Sequence, residues 1–279
     1  MTALRFVLCD VFTDQPLSGQ GLTVFTRATN LSDEQMQALA RELNSSETAF
    51  VQPPARGGHA KVRVFDAHGE VLHPRHAALG TAVVLGVALQ AEEVRIETHA
   101  GITLVRLERE GARIVFGWSE QAIPTRAPFE AGHALFDALR LAESAPPDVY
   151  EGEFKQVLVA ASSVGALTRV VPDQQALARL GIDRISVFAG EAGAYQMRVF
   201  EPLADRFEAP VTPAAAGQLA WHLVNNEREP SDSSLRIEVA TGAGRSALIY
   251  ARIQGGAESA QAIWVGGAAV VVGRGDMLI

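Results

Sequence analysis

The spacing of apolar and polar positions divides the first half of the chain into short strands and two different helices. Alternating or mostly apolar runs predict strands at Arg5–Val11, Leu22–Thr26, Thr48–Val51, Ala60–Phe65, Val94–Glu97, Ile102–Glu108 and Ala112–Trp118. Between the second and third strands, apolar residues recur at i, i+3, i+4 and i+7 from Met36 to Leu43. This spacing predicts an amphipathic surface helix that ends near Asn44.

The stretch from His76 to Leu89 carries no charge and has no polar face. A helix that is apolar all round is typically buried, and its alanines and glycines allow strands to approach it closely. The short strands on both sides have the length needed to surround it. We therefore predict a sheet wrapped around a central helix.

The second half of the chain repeats the first at a period of about 137 residues. Three matches follow in the same order: Gln37–Leu43 with Gln175–Gly181, Arg63–Phe65 with Arg198–Phe200, and Ala77–Gly80 with Ala214–Gly217. A period of this length indicates a duplicated domain. We predict an α+β fold of two pseudo-equivalent domains, each a rolled, mostly antiparallel sheet around a central buried helix.

The domain boundary is predicted at the end of the last strand of the first half. Residues 1–121 form the first predicted domain and residues 122–279 the second, with a linker at Ala122–Pro128 and a last strand that packs back on the first domain. A cleft between two such domains is a usual place for a small-molecule site.

Composition then excludes several classes of function. The hydrophobic fraction of 48% and the charged fraction of 20% are those of an ordinary soluble globular protein. The net charge of −8, without a run of Lys or Arg, argues against nucleic-acid binding. The sequence shows no leader and no apolar run long enough for a membrane span, so a cytoplasmic protein is expected.

Cofactor and metal signatures are missing from the sequence as well. Cys9 is the only cysteine, which excludes an internal disulfide and a thiolate zinc site, and the seven histidines lack metal-ligand spacing. No phosphate-binding loop or dinucleotide fingerprint follows a strand. We expect neither a metal nor a cofactor.

Glu47 is the first candidate for chemistry, because it lies where the amphipathic helix ends and an apolar strand begins. Half-burial there would raise the pKa of its carboxyl group into the range useful for proton transfer. The alternative is a helix-terminal glutamate that faces water. Glu47 also interrupts the repeat, since the residue 138 positions later is Ile185.

The beginnings of the two buried helices supply the other candidates. His76 in the first turn would have its pKa lowered by the helix dipole and could shuttle protons, or it could simply cap the helix. Arg75 could bind a substrate carboxylate, or pair with Glu70. The free backbone N–H groups near His76 and at Thr212 to Ala214 favour a carboxylate ligand.

Several motifs resemble the PhzF-like phenazine-biosynthesis isomerases over nearly the whole chain. They are Asp10-Val-Phe-Thr-Asp-Gln-Pro-Leu-Ser-Gly19, Asn44-Ser-Ser-Glu-Thr-Ala-Phe50, Glu70-Val-Leu-His-Pro-Arg-His-Ala-Ala-Leu-Gly-Thr-Ala82, the segments Arg198–Pro202 and Glu208–Thr212, and Trp264–Gly267. The resemblance implies the diaminopimelate-epimerase fold and a cofactor-free isomerase that acts on a small carboxylated substrate. It implies that Glu47 is the acid/base and that His76 is the family's histidine at the first buried helix.

The chain departs from the family pattern around the implied site. Arg75 stands where the family has glycine, Ala77 where it has proline, and Ala209 where it has aspartate, while Pro213 and Ala214 replace a Gly-Ser pair. We predict a divergent isomerase in natural-product biosynthesis with Glu47 and His76 as catalytic residues. The predicted substrate-binding residues are His73, Arg75, Ala77, Thr212 and Ala214.

Two alternatives stay open at this point. The first is a non-catalytic or small-molecule-binding homologue that keeps the fold without the chemistry. The second is racemisation, which needs a pair of thiols that Cys9 alone does not supply. A homodimer is expected from the resemblance.

Overall fold

The computed structural model describes residues 3–152, 154–204, 207–209, 212–241, 245–255 and 260–279. Its strands are β1 (Ala3–Val11), β2 (Gln20–Phe25), β3 (Glu47–Gln52), β4 (Ala60–Phe65), β5 (Glu93–Thr98), β6 (Gly101–Glu110), β7 (Arg113–Gln121), β8 (Thr125–Pro128), β9 (Asp148–Glu151), β10 (Lys155–Ala160), β11 (Arg184–Glu191), β12 (Ala194–Phe200), β13 (Leu235–Thr241), β14 (Arg245–Gln254), β15 (Ala262–Gly267) and β16 (Ala269–Leu278). Its helices are α1 (Asp33–Leu43), α2 (Arg75–Leu89), α3 (Gly132–Leu139), α4 (Val164–Thr168), α5 (Gln174–Ala178) and α6 (Pro213–Asn225). None of the helices in these ranges is both long and apolar enough to cross a membrane.

Contacts between residues divide the chain into two compact units. The first unit comprises Met1–Glu120 and Gly266–Ile279, and the second comprises Gln121–Val265. The last strand, β16, pairs antiparallel with β1. Pro210 and Val211, which belong to one of the family-like motifs, lie outside the described residues.

The two units share one strand topology. The hydrogen-bonded order is β16-β1-β2-β3-β4-β5-β6-β7 in the first unit and β8-β9-β10-β11-β12-β13-β14-β15 in the second. In both, the third and fourth strands are parallel, as are the fifth and sixth, and each parallel crossover contains helix. The other pairs with a described register are antiparallel. The predicted α+β class with mostly antiparallel sheets is confirmed.

Each unit has one helix inside its sheet. In the first unit α2 lies against β1, β2, β3, β5, β6 and β16, and in the second unit α6 lies against β10 and β14. Residues Pro213–Val224 of α6 are all buried. The prediction that the first helix is buried through to Leu89 is wrong for its last turn, where Val87 is 57% and Leu89 45% exposed.

The other face of β2–β4 is covered by α1, so these strands are enclosed on both sides. Met36 and Leu39 of α1 pack into one cluster with Phe25, Phe50 and Phe65. Alternate side chains of a strand point to opposite faces of the sheet. Phe50 of β3 faces α1. Glu47, the first residue of that strand, lies three positions earlier and therefore faces α2.

Two details of the sequence interpretation need correction. Thr125–Pro128 forms β8 at the edge of the second sheet, so the predicted linker at Ala122–Pro128 is wrong for its second part. Proline is tolerated in an edge strand because no ladder partner needs its missing N–H group.

The second correction concerns the counterpart of Glu47. Phe50 pairs with Arg63 in the first unit, and Val187 pairs with Arg198 in the second. When the two repeats are aligned on Arg63 and Arg198, the first residue of β3 corresponds to the first residue of β11. The counterpart of Glu47 is therefore Arg184, and the prediction of Ile185 is wrong by one position.

Close packing of α2 on β1 and β2 depends on Gly80. A Cβ atom there would lie 2.6 Å from Cδ2 of Leu22 and 2.7 Å from Cγ2 of Val11. Replacing Gly80 with leucine is expected to lower the free energy of unfolding by about 1–3 kcal/mol, because a well-packed interior resists added volume. Urea denaturation measures the change.

A matched control is Val87→Leu in the exposed last turn of the same helix. It should leave the free energy of unfolding within about 0.5 kcal/mol of the wild-type value. Equal stability of the two variants would show that α2 does not approach the strands as closely as described.

Candidate active site

Glu47 is placed by the turn that joins α1 to β3. Helix α1 ends at Asn44, which adopts the left-handed conformation (φ 48°, ψ 32°) and donates its backbone N–H to the carbonyl of Ala40. Asparagine tolerates this conformation better than most residues. The hydroxyl of Ser45 then hydrogen-bonds to the buried hydroxyl of Thr23 on β2. The short turn therefore delivers Glu47 directly into β3.

On the α2 side, Glu47 meets the first turn of the buried helix. Its Oε1 lies 3.2 Å from Nδ1 of His76, and the two side chains are 13% and 6% exposed. The backbone N–H of Ala77 donates a hydrogen bond to the Glu47 carboxyl group. This N–H belongs to the helix terminus, where backbone donors lack partners within the helix. Glu47 thus caps α2 from the neighbouring strand.

Burial controls the electrostatics of this contact. It raises the pKa of Glu47 well above the usual range for glutamate, the negative charge of Asp66 raises it further, and the Ala77 N–H offsets part of the rise. Burial also lowers the pKa of His76 to about 3. The sequence interpretation named the helix dipole as the cause, whereas burial is the cause found in the structure. Burial therefore favours the protonated form of Glu47, and His76 is neutral at neutral pH.

The short contact between the two side chains bears on the tautomer of His76. A protonated Glu47 that donates to Nδ1 leaves the imidazole with its own proton on Nε2. Nε2 of His76 and Oε2 of Glu47 are both buried, and neither has a hydrogen-bond partner among the described residues. Unpartnered buried polar atoms are rare in native structures. Together they offer one donor and one acceptor to a small molecule.

The remaining predicted residues of the first unit surround this contact in sequence. Ala77 is buried and contributes its N–H to Glu47, and its predicted contact with substrate stays a prediction. Arg75 is half-buried and His73 exposed, and both take part in interactions within the chain. Both carboxylate oxygens of Glu70, the alternative partner of Arg75, are bound by Arg63.

The predicted residues of the second unit lie at the beginning of α6. Thr212 precedes the helix and is buried, and its hydroxyl has no hydrogen-bond partner among the residues described. Ala214 is buried in the first turn, after Pro213 at the first helical position. Proline suits that position because it lacks the N–H group that would go unpaired there.

Ala209, which stands where the resemblance implies an aspartate, contributes to packing and to a backbone hydrogen bond. It is buried, and its N–H donates to the carbonyl of Val199 at 2.9 Å. Its methyl group supplies no acid or base. Over the described ranges, no three His, Cys, Asp or Glu side chains are grouped so that they could hold a metal ion.

Asp66 is the residue near Glu47 that sequence reasoning missed. It follows β4 directly, and its Oδ1 accepts hydrogen bonds from the N–H groups of His68 (2.7 Å) and Gly69 (2.8 Å). The available signal was its position after the repeated Arg63–Phe65 segment. The sequence does not give the register of β3 on β4, so this position alone does not show that Asp66 lies opposite Glu47.

Comparison with known proteins adds relatives over the full length of the chain. The family described as phenazine biosynthesis-like protein matches residues 9–275. The trans-2,3-dihydro-3-hydroxyanthranilate isomerase of Pseudomonas aeruginosa is 35% identical over 273 residues, covering 97% of the chain and 98% of the relative. The isomerase of the same name from Pseudomonas chlororaphis is 34% identical over 276 residues and covers 99% of both chains.

A solved structure with a similar fold comes from a more distant protein. The Bacillus anthracis phenazine biosynthesis protein of the PhzF family superposes with a TM-score of 0.83 at 22% identity and covers 100% of both chains. At this identity the likeness concerns the fold alone. It agrees with the α+β class and the two-unit arrangement of the strands.

Proposed function

The chain belongs to the phenazine biosynthesis-like protein family and is an isomerase, and we propose that it shifts a proton and a C=C double bond within a small carboxylated metabolite. Glu47 removes the proton from one carbon and returns it to another. The observation that carries this proposal is the buried contact between Glu47 and His76, in which each side chain keeps one polar atom without a partner among the described residues.

The reaction leaves the composition of the substrate unchanged. The ionised form of Glu47 accepts a proton from an activated carbon, and the released electron pair moves the double bond along the substrate. The protonated Glu47 then delivers the same proton to the far end of the allylic system. A single positioned acid/base of this kind contributes about 10²- to 10⁴-fold to the rate.

His76 supports the charge that develops during this shift. Its Nε2 is buried and has no partner in the described part of the chain, so with its proton on Nε2 it can donate to a substrate oxygen that becomes negative in the transition state. His76 stays neutral because burial lowers its pKa to about 3. It therefore stabilises the charge as a hydrogen-bond donor and leaves the proton transfer to carbon to Glu47.

The substrate class follows from the relatives and from the cationic and amide groups around the site. The Pseudomonas relatives are named for trans-2,3-dihydro-3-hydroxyanthranilate, a small carboxylated ring compound. We propose a substrate of this kind from natural-product biosynthesis. The residues proposed for its binding in the first unit are His73, Arg75 and Ala77. Assembly as a homodimer is part of the same proposal.

A second candidate function is binding without chemistry. Two positions favour it: Ala209 supplies no acid or base, and Pro213 removes one backbone N–H from the beginning of α6. A binding homologue would retain the substrate without converting it. Turnover of a bound compound separates the two functions.

The test uses trans-2,3-dihydro-3-hydroxyanthranilate as the first probe, with product formation followed by absorbance and mass spectrometry. Isomerisation gives a product of unchanged mass. Binding seen by calorimetry without any product would support the binding homologue and count against the isomerase.

The dependence of kcat/KM on pH provides a prediction for the active enzyme. We expect kcat/KM to rise with pH through the raised pKa of Glu47, because only its carboxylate form accepts a proton from carbon. An ordinary glutamate would place this rise near pH 4.3, so the observed rise should lie well above about that value. His76, with a pKa of about 3, adds no second step between about pH 4.5 and 9. A flat profile over that range would contradict the role of Glu47 as the base.

A further inference from the structure

Glu47 and Asp66 face each other at the end of the β3–β4 ladder. Thr48 pairs with Phe65 in the antiparallel register, so the next pair along the two chains is Glu47 and Asp66. Residues directly opposite on antiparallel strands have Cβ atoms about 4.5–5.5 Å apart. Two carboxyl groups are therefore neighbours in the first unit.

In the second unit, the two corresponding positions carry residues of opposite charge. There Ile185 pairs with Phe200, and the next pair is Arg184 and Glu201. The guanidinium of Arg184 and the carboxylate of Glu201 form an ion pair. In both units an isolated bridge links the phenylalanine to a glutamate a few residues later, so the two corners correspond. The ion pair shows that side chains at these positions reach each other.

The first unit replaces this ion pair with two acids in unequal surroundings. The carboxylate of Asp66 accepts two backbone N–H groups, from His68 and Gly69. Glu47 accepts one, from Ala77, and leaves Oε2 buried without a partner in the described structure. Two neighbouring negative carboxylates repel each other, so the charge of Asp66 favours the proton on the buried Glu47.

Among the described residues, no charged group other than Asp66 contributes to the raised pKa of Glu47. From α2 it faces the neutral His76, and from β2 it faces Leu22, its partner in the parallel register. Asp66 is the charged group that approaches it from β4. After burial, the charge of Asp66 is the largest cause of the raised pKa of Glu47.

We propose that Asp66 is a positioning residue: its carboxylate keeps the proton on Glu47 in the resting enzyme and sets the pH at which Glu47 begins the isomerisation. The catalytic half of this inference rests on the proposed function. The electrostatic half concerns Glu47 alone and holds in the enzyme without substrate.

The test is Asp66→Asn, whose amide oxygen still accepts the two backbone N–H groups of the turn. The side-chain carboxyl signal of Glu47 is followed by ¹³C NMR as a function of pH, and kcat/KM is measured over the same range. We expect the Glu47 titration and the rising part of the pH profile to move together to lower pH, by about one unit. Asp66→Ser, whose hydroxyl also accepts from the turn, replaces Asp66→Asn if that variant does not fold.

A matched control exists in the second unit. Glu201→Gln breaks the corresponding ion pair with Arg184 and should leave the titration of Glu47 unchanged. Asp66→Arg gives these two positions one acid and one base, as in the second unit. It should lower the pKa of Glu47 further than Asp66→Asn does. An unchanged Glu47 titration in Asp66→Asn overturns the proposal. A shifted titration with an unshifted pH profile supports the coupling and counts against Glu47 as the catalytic base.

Discussion

Replacing Glu47 with glutamine is expected to lower kcat by about 10²- to 10⁴-fold. Glutamine has nearly the same shape, and its amide oxygen, placed where Oε1 lies, accepts a hydrogen bond from the Ala77 N–H. It cannot take a proton from carbon and return it. Because the substitution removes only the proton, steady-state kinetics with matched circular dichroism spectra separates lost chemistry from lost structure.

The control for this experiment is Glu70→Gln. Glu70 belongs to the same unit and is also partly buried, but its carboxylate binds Arg63. This substitution breaks an ion pair and should keep kcat/KM within about threefold of the wild-type value, which is small beside the contribution of an acid/base group. If Glu47→Gln also stayed within about threefold, Glu47 would not be the group that carries the proton.

The second large effect is expected in stability at alkaline pH. In the folded protein, Glu47 and His76 together hold one proton, and it resides on Glu47 because burial raises its pKa and lowers that of His76 to about 3. In the unfolded chain the same two groups hold one proton between about pH 4.3 and 6.5, on the histidine, and none at higher pH. Between about pH 6.5 and the raised pKa of Glu47, the folded state therefore binds one proton more than the unfolded state.

It follows that the free energy of unfolding falls as the pH rises above about 6.5. The slope is about 1.4 kcal/mol per pH unit and continues until Glu47 ionises in the folded protein. Between about pH 4.3 and 6.5 the contributions of the two groups cancel, since both states hold one proton. Urea denaturation at several pH values from about 6.5 to 9 measures the slope.

Glu47→Gln should remove this alkaline slope, because the folded variant has no proton at this position to lose. Below about pH 6.5 the same variant should lose stability with falling pH, since the unfolded chain then protonates His76 and the folded protein does not. Parallel curves for the wild type and the variant would contradict the location of the proton.

Local sequence patterns predicted the parts of the fold in which one face of an element is buried. The helix ending at Asn44 and the strand Ala60–Phe65 follow the apolar periodicity and have the predicted bounds. The edge strand β8 was missed because all four of its residues are exposed and one is proline, so no alternation marks it. The exposed last turn of α2 was missed because periodicity alone does not show where the sheet around a helix ends.

For the candidate site too, local sequence patterns predicted some features and tertiary packing decided the others. Glu47 and His76 were identified from their positions at the ends of elements and from the family-like motifs around them. Asp66 and the correspondence of Glu47 with Arg184 required the register of two strand pairs, and counting along the chain misplaced it by one residue. The cause of the low pKa of His76 depended on how deeply α2 is enclosed. Such quantities arise from tertiary packing, which sequence spacing does not encode.

The pairing of β16 with β1 has a consequence for how the protein is made. During translation, the whole of Gln121–Val265 leaves the ribosome before the strand that completes the sheet around α2. The second unit is continuous in sequence and can close first, whereas the unit with Glu47 closes only through a contact of very high sequence separation, which slows folding. Until then one edge of β1 is unpaired and open to strands of other nascent chains.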